Sequence, residues 1–151
     1  MTTDQVLDQA ANLLTPWAAE TTRPEPNRLD AVITRENLLN AVKALREARW
    51  GYMTTITGLD LGVEAGQLEA LYHFCHNAAV VTLRVSIPRD DAQVPSLCGL
   101  IPSATLPERE FSELLGVTVV DTPDPAHLFL PDDWPNDAYP LRKDFVLPAE
   151  M

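Results

Sequence analysis

Six of the chain's 13 prolines (Pro123, Pro125, Pro131, Pro135, Pro140 and Pro148) fall within residues 117–151. Proline fixes φ and brings no N–H, so this density forbids long helices and central strands there. The same stretch carries Val119, Leu128, Phe129, Leu130, Trp134, Tyr139, Leu141, Phe145 and Leu147. It is too apolar for a solvated tail. A segment that is both extended and apolar needs a surface to lie on, either its own body or another protein. The expectation is an extended arm over 117–151 attached to a folded body.

The body reads as a single small α+β domain with an antiparallel or mixed sheet and flanking helices. At the amino end, Thr2-x-x-Gln5 has the form of a capping box, and Val6, Ala10, Leu13 and Trp17 recur at helical spacing. A helix is expected over 1–19, followed by a polar linker over 20–28 that contains Pro24 and Pro26. The core domain is expected over 29–116. It opens with a strand at 29–33 and a helix from Arg35 to about Ala48, capped by Thr34, with Leu38, Val42 and Leu45 on one face. Residues 52–57 read as a strand that stops at Gly58, and 80–87 alternate as a strand should. Between them Leu68, Ala70, Tyr72 and Phe74 also alternate, and the turn His76-Asn77-Ala78 favours a hairpin over a helix. Thr105-Leu106-Pro107-Glu108 predicts a capping box for a last helix that ends at Gly116.

With 11 Lys+Arg against 22 Asp+Glu, the formal net charge is −11. Such a surface repels phosphate backbones, so nucleic acid is an unsuitable partner, and anionic membranes are repelled too. No stretch approaches the ~18–20 apolar residues needed to span a bilayer. Met1-Thr2-Thr3-Asp4 lacks the basic start and apolar core of a secretion signal, and Cys75 and Cys98 make no disulfide framework, which together lead to the expectation of a reducing compartment.

Chemistry-bearing clusters are few. His73 and Cys75 face one side of a strand while His76 faces the other, so His73-Phe74-Cys75-His76 cannot close around one ion. Asp132, Asp133 and Asp137 lack the glycine and terminal glutamate of a calcium loop. No glycine-rich phosphate loop, nucleophile elbow or Cys-x-x-Cys is present. The carboxylates of Glu108, Glu110 and Glu113 could serve a stand-alone acid/base enzyme. The plainer account is an ion-pair network in which Arg109 and Glu113 pair at i,i+4.

Two segments carry a resemblance. Glu108-Arg109-Glu110-Phe111-Ser112-Glu113-Leu114-Leu115-Gly116 resembles the Glu-Arg-Glu signature of the C (thirty-kilodalton) subunit family of respiratory complex I NADH dehydrogenase. Leu130-Pro131-Asp132-Asp133-Trp134-Pro135, followed by Tyr139-Pro140-Leu141-Arg142-Lys143-Asp144-Phe145, is similar to that family's carboxy-terminal block. It is equally similar to related subunits of energy-converting nickel–iron hydrogenases.

The resemblance implies a non-catalytic subunit with no cofactor in this chain, peripheral on the cytoplasmic side of the cell membrane and without direct membrane insertion. Iron–sulfur clusters, a quinone site or a nickel–iron centre are then expected on partner subunits. The partners implied are the large quinone-site or hydrogenase-type subunit and neighbouring iron–sulfur subunits. The expected partner-binding residues are Glu108, Arg109, Glu110, Glu113, Trp134, Leu141, Arg142, Lys143, Asp144 and Phe145. Arg142 suits a bidentate pair with a partner carboxylate, with Leu141 and Phe145 in apolar pockets beside it. The internal alternative pairs Arg142 with Asp144 or Glu108.

Overall fold

The structure, a computed structural model, describes residues 1–147 and Ala149; Pro148, the last of the clustered prolines, lies outside the described residues. A five-stranded mixed sheet in the order β1-β2-β5-β4-β3 carries three helices on one face. The elements are α1 (Thr3–Leu14), β1 (Ala18–Thr22), β2 (Arg28–Ile33), α2 (Arg35–Glu47), β3 (Tyr52–Asp60), β4 (Gln67–His76), β5 (Ala79–Pro88), β6 (Gln93–Pro95), α3 (Thr105–Leu115) and β7 (Thr118–Val120).

The hairpin expected around Asn77 is present. Leu68, Ala70, Tyr72 and Phe74 of β4 alternate inward, and β4 pairs antiparallel with both β3 and β5. Asn77 turns the corner at φ 54°, a left-handed conformation that asparagine tolerates. Because β2 lies parallel to β5, the sheet is mixed. Val81, Leu83, Val85 and Ile87 of β5 are fully buried beneath the helices.

Both amino-terminal caps form as their residue types dictate. Thr2 and Gln5 make the reciprocal capping box of α1, and Thr34 accepts the Asn37 N–H at the start of α2. Helix α1 packs on the sheet through Val6, Leu7, Ala10 and Leu14. It is tied down by the buried Trp50 indole, which donates to the Val6 carbonyl at 2.9 Å.

Three expectations need correction. The helix expected over 1–19 ends at Leu14, and residues 18–22, the last two of that span and the first three of the expected linker, form β1, an edge strand antiparallel to β2. Its residues are mostly exposed, so no buried alternation marks it. Second, β3 does not stop at Gly58 but runs to Asp60. Gly58 is there for close approach, since a Cβ would stand 1.8 Å from Leu115 Cδ1 and 2.9 Å from the Phe111 ring. Third, Thr105 does not cap α3. It is the first helical residue, its hydroxyl donates to the Pro102 carbonyl, and Glu108 turns into the protein instead of back to the helix start.

Among the described residues, no helix lies on the opposite face of the sheet. Along it Asp30, Thr82 and His73 lie in register across β2, β5 and β4. The His73 ring bridges Thr57 Oγ1 at 2.9 Å and Thr82 Oγ1 at 3.1 Å.

Candidate functional site on helix α3 and the carboxy-terminal arm

Helix α3 packs its apolar side on β3 through Phe111 and Leu115 and spends its polar residues on holding the chain that follows and precedes it. Glu108, only 2% exposed, accepts from the Leu97 N–H, from Ser96 Oγ at 2.8 Å and from the Cys98 thiol at 3.2 Å. It thereby fixes the loop after β6. Arg109 reaches forward to the arm, donating to the Ala126 carbonyl at 2.8 Å and the His127 carbonyl at 2.6 Å, with Asp124 beside it at 3.3 Å. The Glu113 carboxylate accepts the consecutive N–H groups of Leu128 at 2.9 Å, Phe129 at 2.7 Å and Leu130 at 3.4 Å. Arg109 and Glu113 therefore do not pair with each other. Charge-assisted bonds from a side chain to backbone are strong ones, and here they grip a segment that lacks a ladder of its own.

Further along, the arm closes the end of α3. Gly116 adopts the left-handed stop at φ 68°, and the Tyr139 ring sits where a Cβ would project, 2.4 Å from it. Arg142 lies over that ring at 4.7 Å and donates to the Leu115 and Gly116 carbonyls at 2.7 and 3.2 Å. A cation at a helix carboxyl end also complements the helix dipole. Its internal partners are thus backbone carbonyls, rather than Asp144 or Glu108. The Leu141 N–H adds a bond to the Leu114 carbonyl at 3.0 Å.

A second pin, which involves Asp60 and Arg89, has no counterpart in the sequence reading. The Asp60 side chain, 1% exposed at the end of β3, accepts from Arg89, from the Gly62 N–H and from the Lys143 N–H at 2.7 Å. Arg89 bridges on to Asp144 at 2.5 Å. Burial works to raise the Asp60 pKa, but the Arg89 hydrogen bond, the two backbone donors and the Arg89 charge outweigh it and hold the carboxyl at about 2. Asp60 and Arg89 stand 29 residues apart, and Asp144 a further 55 along, so no local spacing signals the cluster.

The arm is thus fastened through its main chain and a few polar side chains. Its apolar side chains are treated differently. Trp134 and Phe145 stack on each other at 6.2 Å, with the indole N–H satisfied by the Ala138 carbonyl. Phe129 is 66% exposed, Leu141 56%, Leu147 64% and Val146 82%. Of the residues singled out from sequence, the exposed ones are Glu110, Leu141, Lys143 and Asp144. Phe129, Val146 and Leu147 are equally bare and were not among them.

Among the described residues, no three His, Cys, Asp or Glu side chains come together as a metal site, and both cysteines are free. No described helix is long and apolar enough to cross a membrane.

Residues 31–151 match the family described as respiratory-chain NADH dehydrogenase, 30 Kd subunit. The chain belongs to this family. The NADH-quinone oxidoreductase C subunit of Moorella thermoacetica is 34% identical over 122 residues, covering 79% of this chain and 80% of that protein. Formate hydrogenlyase subunit 5 of Escherichia coli is 30% identical over 121 residues, 78% of this chain but only 21% of that protein. Among solved structures, a chain of the membrane-bound sulfane sulfur reductase, an archaeal respiratory membrane complex, superposes with a TM-score of 0.80 at 24% identity. That match covers 97% of this chain and 87% of the other, and it shows the shared fold. The 30-kDa subunit family thus extends across dehydrogenase and hydrogenase-type complexes, and this chain is an accessory subunit of that type.

Proposed function

We propose that this 30-kDa-type subunit positions the large subunit of a membrane oxidoreductase, either one that lines a quinone site or one that holds a nickel–iron centre. The chain would contribute no redox group of its own, and clusters and centres would sit on the partners. In this reading the body, 29–116, is the rigid part, the arm, 117–151, lies along the large subunit, and the assembly sits on the cytoplasmic side of the membrane. The observation that carries it is the division of labour in the arm. Main chain and polar groups are bonded inward, while Phe129, Leu141, Val146 and Leu147 are left facing outward. Pinning the backbone beforehand removes part of the ordering cost that a floppy arm would meet on binding. Bare apolar side chains next to satisfied polar groups are what a docking surface needs at its centre.

The Escherichia coli relative adds a second support. There a domain of this type is about a fifth of a longer polypeptide, so a covalent neighbour sits beside it. Where the two are separate chains, contact must do the holding. The stand-alone acid/base reading finds no comparable support, because the Glu108 and Glu113 carboxylates are occupied by structural donors.

The test is a chain truncated after Val120 and a full-length Phe129→Ser/Leu141→Ser variant, each co-expressed with the large subunit. The truncated chain is expected to keep the circular dichroism of the body and to lose co-purification with the large subunit. The double variant is expected to keep its melting temperature and to lose at least ~10-fold in affinity, as central apolar contacts do when truncated. Retention of the complex by both would overturn the docking role of the arm.

A further inference from the structure

The two edges of the five-stranded sheet are not protected alike. β1 is five residues long, carries Glu20 and is bracketed by Pro16 and Pro24. A short, charged, proline-flanked edge resists unwanted pairing. β3 is nine residues long and has no charged residue from Tyr52 to Leu59, no proline and no lysine. Over that span its residues, Tyr, Met, three Thr, Ile, Gly and Leu, include several of high strand propensity. A bulge lies between Met53 and Thr55, so the regular register runs from Thr55 to Asp60. Among the described residues, no hydrogen bond from outside the β3–β4 pair reaches the backbone of β3. Tyr52, Thr54, Thr55 and Leu59 are exposed. A water-facing row of amides on an uncharged strand, regular from Thr55 to Asp60, is a template for one more strand.

We infer that the outer edge of β3 receives an extended strand from the protein on which the arm docks, adding a sixth strand to the sheet. The inference rests on the docking role proposed above and extends it to a second surface. Three observations select that occupant. The edge amides and carbonyls bond water in the free chain, and their strand spacing matches another extended backbone and not a helix, whose own N–H and C=O groups are already paired. A second copy of this chain is disfavoured because each copy carries a net charge of −11, and charge of that size keeps copies apart. The edge is also continuous with the arm: Asp60 at its end accepts the Lys143 N–H, and Leu115 of the arm-bearing helix packs on Gly58 in its middle. A partner strand seated there, with alternate side chains towards α3 and towards the Thr55, Thr57 and Leu59 face, would end beside Asp60, where the arm is pinned through the Lys143 N–H.

Hydrogen–deuterium exchange on the free full-length chain and on its complex with the large subunit tests this. In the free chain the amides of residues 55–59 that point away from β4 are expected to exchange fast, as are those of β1. In the complex the β3 set slows by ~100-fold or more while β1 stays fast. A Thr55→Lys/Leu59→Lys variant, charged only at exposed positions, is expected to keep its melting temperature and bind more weakly by ~10-fold or more, as an edge lysine acts on pairing. If the complex forms and β3 still exchanges as in the free chain, the edge inference falls and the arm reading survives. If β3 is already protected in a free chain that light scattering shows to be a dimer, the occupant is a second copy and the inference is overturned. If no complex forms with intact chain, the docking reading and the edge inference fall together.

Discussion

Phe129 donates its backbone N–H to Glu113 Oε1 at 2.7 Å while its ring stays 66% exposed. One residue thus has its main chain committed to the body and its side chain offered outward. Glu113→Ala removes the acceptor of three consecutive amides but leaves Phe111 and Leu115 in place on the sheet. The melting transition of the body is expected to change little, about 1–2 kcal/mol at most, since the freed amides can reach water. Exchange at Leu128, Phe129 and Leu130 should accelerate strongly, and affinity for the large subunit should drop although no outward side chain has changed. Native-state hydrogen exchange on the variant, with a binding titration beside it, checks both halves.

Gly58 is the point where α3 rests on β3. Gly58→Ala places a methyl 1.8 Å from Leu115 Cδ1, and overpacking of that kind is expected to cost about 1–3 kcal/mol. Denaturant unfolding at constant slope measures it. Because α3 also carries the arm's pins, arm amides should lose protection in the same variant.

The latch at Asp60 has a defined acid limit. Its carboxyl sits at about 2 in the folded chain, against an unfolded value of ~3.9. A depressed carboxyl contributes stability that is whole above the unfolded pKa and is lost as pH falls through the folded one. Holding of residues 143–145 is therefore expected to be insensitive to pH near neutrality and to fail between about pH 4 and pH 2. Asp60→Asn should release the same segment at neutral pH, at a cost of about 1–3 kcal/mol. The chemical shift of the Lys143 amide reports both.

His73 acts at milder acidity. Burial among its strand neighbours, aided by the Arg28 charge and partly offset by Asp30, lowers its pKa. With the folded pKa below the unfolded ~6.5, the neutral ring's contribution is whole above that value and declines as pH falls below it. His73→Gln, which can still bond a threonine hydroxyl, is expected to flatten the fall in stability as pH drops below about 6.5. Urea denaturation across that range provides the comparison.

Much of the body was legible because its signals are local. Alternation of Leu68, Ala70, Tyr72 and Phe74 against a short turn identified the hairpin, and Thr2 and Thr34 announced their helices. β1 was not legible, because an exposed edge strand of Ala, Glu and Thr has no buried side to set a period. The capping box at Thr105 matched by residue type alone. Glu108 found better donors at Ser96 and Leu97, residues brought near only by the small parallel pairing of β6 with β7. Charged residues of the Glu-Arg-Glu segment stood out as a set, but their targets did not, since Arg109 and Glu113 address backbone atoms 15 to 18 residues away. Backbone atoms carry no residue code. The Asp60–Arg89–Asp144 cluster joins three distant segments and was invisible for the same reason.

A clasp that grips main chain is indifferent to most of what the gripped residues look like. Arg109 and Glu113 would hold residues 126–130 whether the outward side chains there were large, small or differently shaped. On the docking role proposed above, evolution can recut the visible surface of the strap to suit a new neighbour without loosening the buckle, a physical route by which the same small body type fits more than one kind of complex.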